Sequence, residues 1–164
     1  MNLLQWIKAR VAPTAKTEDV IEIFDFNSVY KSNKVMSELR RLTLGSWSGM
    51  NYELDNLSIL AKQRKVKVKV ITAKRQNKMV GWALLSKEDS NFPFERSNFV
   101  SKRDGALFEV FVDPKHRRTG IATALLKKAR KHTGSSHLCV APHDRKSNAF
   151  YDKHNMYKQK RLSY

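Results

Sequence analysis

Near the centre of the chain, a strand that must end at a proline and a helix that must begin at a glycine stand six residues apart. No other feature restricts the fold as much. Gly105-Ala-Leu-Phe-Glu-Val-Phe-Val112 is almost wholly apolar and rich in β-formers. Asp113-Pro114 stops it, because proline cannot donate to a ladder. From Thr119 to His132, Ile121, Ala122, Leu125, Leu126 and Ala129 recur on one side, the spacing of an amphipathic helix. Lys127, Lys128, Arg130 and Lys131 crowd its end, where the helix dipole favours cations, and Gly134 closes it. A helix start leaves backbone N–H groups without partners and carries partial positive charge, so it binds phosphate. Gly120 has no Cβ to keep a ligand away, and Ala122 is nearly as small. Arg117 and Arg118 add full charges suited to a pyrophosphate or a ribose phosphate. The alternative is a plain basic helix start.

Around this centre the pattern alternates between strands and helices. Residues 20–26 alternate as a strand, and 28–44 carry Val29, Val35, Met36, Leu39 and Leu42 at helical spacing. A second short helix fits 56–64. Val66-Lys-Val-Lys-Val-Ile-Thr72 reads as a strand with one buried face, turned at 76–78 into a returning strand over 79–85. Residues 87–104 read as a long polar loop. After the central helix come a strand at 137–141, a helix at 145–154 and a strand at 157–164. The expected fold is an α/β sandwich around a central mixed, mostly antiparallel sheet. The expected organisation is one domain over 1–164: a short leader (1–16), a first strand and helices (17–64), and a core that carries the phosphate loop (65–164).

Composition narrows the setting. At 41% hydrophobic residues the chain can bury a core, and no run approaches the roughly 18 apolar residues of a membrane-spanning helix. The N-terminus is a poor secretory signal because Lys8 and Arg10 follow its apolar stretch, so a cytoplasmic location is expected. One cysteine, Cys139, excludes an intramolecular disulfide. Thirty-two Lys and Arg against fifteen Asp and Glu give a formal charge of +17. That charge suits nucleic acid, an anionic membrane surface, an acidic protein or a cofactor's phosphates, or is an ordinary basic surface. Eight of the cations, from Lys62 to Lys78, gather around the 66–85 hairpin, where a solvent-facing basic strand could track a phosphate backbone. His137, Cys139 and His143 fit no standard zinc spacing, and no metal is expected.

The chain has neither a Walker loop nor a strand-linked G-x-G-x-x-G. Arg117-Arg118-Thr119-Gly120-Ile121-Ala122 instead resembles the coenzyme A loop of the Gcn5-related N-acetyltransferases (GNAT), Arg/Gln-x-x-Gly-x-Gly/Ala. Asn148-Ala-Phe-Tyr-Asp-Lys-His-Asn-Met156 resembles the family's later Asn/Ala/Tyr/Gly-Phe region, one strand after the loop, and Trp82 resembles its preceding hairpin strand. The likeness runs from about Lys65 to Tyr164. Asn155-Met156 replaces the usual Gly-Phe, and asparagine tolerates the left-handed backbone needed there. The first helices, which shape the acceptor pocket in that family, match nothing recognisable.

The resemblance implies a GNAT-like fold and an acetyl-CoA-dependent N-acetyltransferase, with direct attack of a primary amine on the thioester. It implies coenzyme contacts from Phe111, Val112, Arg117, Arg118, Thr119, Gly120, Ile121, Ala122 and Asn148, with a backbone N–H of Phe111 or Val112 facing the oxyanion. Tyr151 matches the family's general acid, against a simple core tyrosine. Glu109, in an otherwise apolar strand, is the expected base, against a water relay. Asn148 touches the coenzyme or orders its helix, against a plain N-cap. His143 and Asp144 would line the acceptor side. The acceptor stays open among small amines, proteins, tRNA and modified bases. Contact with tRNA or DNA through the basic surface, and a homodimer, stay open too. The rival readings are a non-catalytic nucleic-acid binder and a degenerate relative that binds coenzyme A without turnover.

Overall fold

Strand-forming residues with one apolar face need a partner strand and a covering helix, and both are supplied here in chain order. The computed structural model describes residues 19–43, 67–86, 105–135, 138–140 and 145–158. The elements are β1 (Val20–Asp25), α1 (Phe26–Lys31), α2 (Asn33–Thr43), β2 (Val68–Arg75), β3 (Lys78–Ser86) and β4 (Gly105–Val112). A 3₁₀ turn (Pro114–His116), α3 (Ile121–Thr133), β5 (Leu138–Val140), α4 (Arg145–Lys153) and β6 (Tyr157–Lys158) follow. Among the described residues the strands form one six-stranded sheet in the order β1-β2-β3-β4-β5-β6. The first three pairings are antiparallel and the last two parallel, so the expected mixed α/β architecture holds.

Local chemistry explains several boundaries. The β2–β3 connection is two residues long, and Gln76 and Asn77 both have positive φ, 50° and 61°. That is the left-handed pair of a tight hairpin turn whose twist matches its strands. The single helix expected over 28–44 is two helices. They part at Ser32, whose carbonyl accepts the Met36 N–H at 3.1 Å and starts α2. Gly134, at φ 72°, ends α3 and donates to the Arg130 carbonyl. The helix expected at 56–64, the loop at 87–104, Lys62, Arg64, Lys65 and the end of the last strand lie outside the described residues.

Two apolar layers sandwich the sheet. On one face Leu107, Ile71, Ala83 and Leu85 pack with Ile121, Leu125, Leu126 and Ala129 of α3 and with Tyr151 of α4. On the other, the buried Phe26, Met36, Leu39 and Leu42 of α1 and α2 cover β2 and β3, where Val70, Trp82 and Leu84 are also fully buried. Among the described residues no helix is long and apolar enough to cross a membrane.

The basic hairpin is corrected by its neighbour. Strand β1 lies beside β2 in a register that sets Asp25 opposite Lys69 and Val20 opposite Lys74. Lys69 Nζ reaches Asp25 at 3.1 Å, Lys74 Nζ reaches Glu22 at 2.6 Å, and Arg75 grips Asp19 through two bonds of 2.7 and 2.9 Å. Three cations expected to face solvent for a polyanion are therefore matched within the sheet.

Among the described glycines, Gly105 at the start of β4 leaves the least room for a side chain. A Cβ added to Gly105 would stand 2.5 Å from Thr133 Cγ2 and 3.0 Å from Leu138 Cδ2. Thr133 cannot turn away, because its hydroxyl donates to the Ala129 carbonyl at 3.1 Å. Gly105→Ala is expected to destabilise the fold by about 1–3 kcal/mol, the usual scale of overpacking. Thermal unfolding read by circular dichroism should show a midpoint lowered by several degrees; an unchanged midpoint would refute this packing.

Candidate functional site

The site grows from a change of phase in β4. Leu85 pairs with Leu107 but Leu84 pairs with Glu109, so Phe108 is an extra residue in the ladder. Such a bulge reverses which side chains face which layer. Leu107 packs into the α3 layer, and after the bulge Val110 and Val112 join it there. Glu109 and Phe111 are thereby turned to the α1/α2 face. Without the bulge Glu109 would share a face with Leu107, inside the α3 core. Glu109 is 4% exposed, and Phe111 stacks on Trp82 with ring centroids 6.1 Å apart.

The described pairing of β4 with β5 ends at the bulge. The parallel pairing covers Gly105, Ala106 and Leu107 against Leu138, Cys139 and Val140. Among the described residues no strand pairs with 108–112 on that side; residues 141–144, which follow β5, lie outside the described residues. The end of β4 lies between the buried Glu109 on one face and the α3/α4 layer holding Tyr151 on the other.

The loop from Asp113 to Gly120 is braced from within. Asp113 accepts the Lys115 N–H at 3.0 Å, and its other oxygen lies 3.3 Å from His116 Nδ1. The Lys115 amide, with His116 beside it, holds the Asp113 carboxyl below its ordinary range. Arg117 Nε donates to the Val112 carbonyl at 3.1 Å, and Thr119 Oγ1 donates to the His116 carbonyl at 2.7 Å. Arg118 takes a left-handed φ of 64° and Gly120 one of 91°. Helix α3 then starts with no side-chain cap on Gly120, and its first ladder bond runs from the Ala124 N–H to the Gly120 carbonyl. The amides of Ile121, Ala122 and Thr123 thus have no carbonyl one turn back to bond. Nothing lies within 4 Å of where a Gly120 Cβ would be. This open, uncapped, positively charged helix start meets the requirements of a phosphate group.

Placement of the other expected residues is mixed. Tyr151 is 8% exposed, packs in the α3 layer and meets Phe150 edge-on at 5.5 Å. Its carbonyl accepts the N–H groups of His154 and Met156, and Asn155 takes the expected left-handed turn at φ 50°. Arg130 fastens the same turn through the His154 carbonyl and Met156 Sδ. Burial, with Arg130 and Lys153 nearby, lowers the pKa of His154, which lies 3.4 Å from Thr123 Oγ1. Asn148 is the fourth residue of α4 and half-buried, so the N-cap role is excluded: a cap must precede Arg145. His137, His143 and Asp144 lie outside the described residues, as does the Cys139 side chain. Among the described residues no cluster of His, Cys, Asp or Glu could hold a metal ion.

Sequence reading missed the brace made by Asp113, although an acidic residue directly before proline and two before a free amide is a turn signal. It also missed the bulge at Phe108, which an unbroken apolar run hides.

Residues 33–156 match the family described as acetyltransferase (GNAT) family. Solved structures share the fold. The aminoglycoside 6'-N-acetyltransferase AAC(6')-IG of Acinetobacter haemolyticus aligns at TM-score 0.58 and 19% identity, over 87% of this chain and 95% of that one. The ribosomal-protein-alanine N-acetyltransferase of Brucella melitensis biovar Abortus 2308 aligns at 0.52 and 17%, over 90% and 97%. Aminoglycoside acetyltransferase AAC(6')-Iy, in complex with a bisubstrate analogue of coenzyme A, aligns at 0.57 and 16%, over 88% and 96%. No curated protein matches the chain by sequence.

If the open helix start receives a pyrophosphate, a side chain at Gly120 obstructs it. Gly120→Ala is expected to weaken acetyl-coenzyme A binding tenfold or more. The left-handed φ adds a stability cost of about 1–2 kcal/mol even though the space is empty. Calorimetry on the folded variant checks this, and unchanged affinity would overturn the assignment.

Proposed function

For a chain that belongs to the acetyltransferase (GNAT) family, we propose that catalysis takes place beside the end of β4, with an amine entering from the α1/α2 face and the thiol leaving toward α4. Acetyl-coenzyme A is the acyl donor of this family, and it supplies an activated thioester. The carrying observation is the coincidence of two features. Among the described residues β4 has no strand on its β5 side from residue 108 on, and the uncapped start of α3 follows at the end of the same strand. One feature suits an extended amide-bearing arm, and the other suits the pyrophosphate to which that arm is joined.

Each residue's role follows from its place. The amides of Ile121, Ala122 and Thr123, with the exposed Arg117 and Arg118, hold the phosphates. Thr119 and Asn148 flank them. The backbone of Phe111 and Val112 pairs with the arm, and one of its N–H groups faces the oxygen on which charge develops. Donors fixed before the reaction avoid the reorganisation that water would need.

Glu109 is buried on the acceptor face beside the Trp82–Phe111 stack. A carboxylate there orients an ammonium and takes its proton, while the aromatic faces favour a cation. Tyr151 lies on the other face, in the α3/α4 layer, and donates its phenolic proton to the departing sulfur. The amine nitrogen gains the acyl group as the carbon–sulfur bond breaks, and one proton moves on each side of the sheet. The acceptor is a primary amine. The AAC(6')-IG and ribosomal-protein-alanine enzymes, which share this fold, are both named as N-acetyltransferases.

Tyr151→Phe tests the division of labour, because it removes a hydroxyl and keeps the ring that packs in the core. Turnover is expected to fall about a hundredfold or more with coenzyme affinity unchanged. Steady-state kinetics with a primary amine, paired with calorimetry, would show it. Equal turnover with chemistry rate-limiting would return Tyr151 to a packing role.

A further inference from the structure

Positive charge is distributed unevenly over this fold. In the β1–β2 ladder, acidic partners meet Lys69, Lys74 and Arg75. From Asp113 to Met156 the sequence instead holds ten Lys and Arg against three Asp. Helix α3 turns its apolar side to the core and leaves Lys127 and Lys131 exposed one turn apart, with Lys128 half-exposed beside them. Among the described residues no ion pair reaches any of the three.

The helix dipole explains only part of this. Its effect is confined to the last turn, which holds Arg130, Lys131 and His132, whereas Lys127 and Lys128 lie earlier. Nor does the phosphate loop account for them. At 1.5 Å per residue they stand about 10 to 17 Å along the axis from Gly120.

We propose that the outward face of α3 around Lys127, Lys128 and Lys131 is a docking surface for the phosphate backbone of a nucleic acid. Lysines one turn apart on a straight helix are spaced to meet successive phosphates, and they release counterions on doing so. A membrane surface would call for apolar anchors beside the lysines, and a protein partner for an apolar or aromatic centre. Among the described residues the one large apolar side chain left exposed is Val20, on the far strand β1. Among the described residues this face of α3 is charge without an apolar anchor, which suits sequence-independent contact with a backbone. It is separate from the coenzyme loop, so nucleic acid and acetyl-coenzyme A bind together. The inference does not depend on the catalytic roles given to Glu109 and Tyr151.

The test compares full-length protein with Lys127→Glu/Lys128→Glu/Lys131→Glu. A control, Lys31→Glu/Lys34→Glu/Lys78→Glu, makes the same charge change at exposed sites on α1, α2 and the β2–β3 hairpin. Fluorescence anisotropy is read with a labelled single-stranded RNA and a DNA duplex at several salt concentrations. The α3 variant is expected to lose at least about tenfold in affinity at low salt, with a salt slope for the single strand shallower by about 2. The control should lose far less, and both variants should keep wild-type affinity for acetyl-coenzyme A, which also reports that they are folded. The proposal is overturned if wild-type protein does not bind at low salt, or if the two variants lose affinity equally. It is also overturned if anionic phosphatidylserine vesicles bind wild-type protein and compete away the nucleic acid through these same lysines. Loss of coenzyme binding in a folded Gly120 variant with nucleic-acid binding intact would bear on the cofactor loop alone.

Discussion

The extra residue at Phe108 is the constraint on which the rest of the site depends. A regular β4 would stay in register with β3 and would turn Glu109 into the α3 core. With the bulge, an acidic side chain in an apolar strand becomes a buried group on the opposite face. The described pairing of the same strand with β5 covers three residues and ends at the bulge. The end of the described β5 pairing and the re-aimed carboxylate thus coincide at one irregularity. Bulges recur beside active sites because they re-aim a side chain and end a pairing in a single step.

The loop after β4 shows how the chain prepares for an anion before one is present. Asp113 ties down the turn, Arg118 and Gly120 take left-handed conformations, and α3 begins without a side-chain cap. A left-handed arginine is strained relative to glycine, and an uncapped helix start leaves donors unmet. Both costs fall on one short segment, and under the proposed function a phosphate bound there would offset both. Local rules broken together in one place mark a site where ligand contacts replace internal ones.

Much of this was legible in the residues, and the exceptions share a cause. Pro114, Gly120 and Gly134 each act through their own backbone, so the strand end, the loop and the helix end could be read directly. The alternation in β2 and the periodicity of α3 report burial that is local to one element. The bulge at Phe108 could not be read because Gly105–Val112 offers no polar residue out of phase except Glu109, whose face is what the bulge decides. The ion pairs of Lys69, Lys74 and Arg75 depend on which strand lies beside β2 and in what register, and strand order is a property of the whole sheet. The helix at 145 was legible, and its start removes the competing cap reading of Asn148.

The claim that β4 and the start of α3 form one binding groove is tested most directly by hydrogen–deuterium exchange with and without acetyl-coenzyme A. The amides of residues 108–112 and 119–123 should slow together on binding, while those of β1 and β2 should be unaffected. Binding without protection of either segment, or protection confined to the α1/α2 face, would contradict the account.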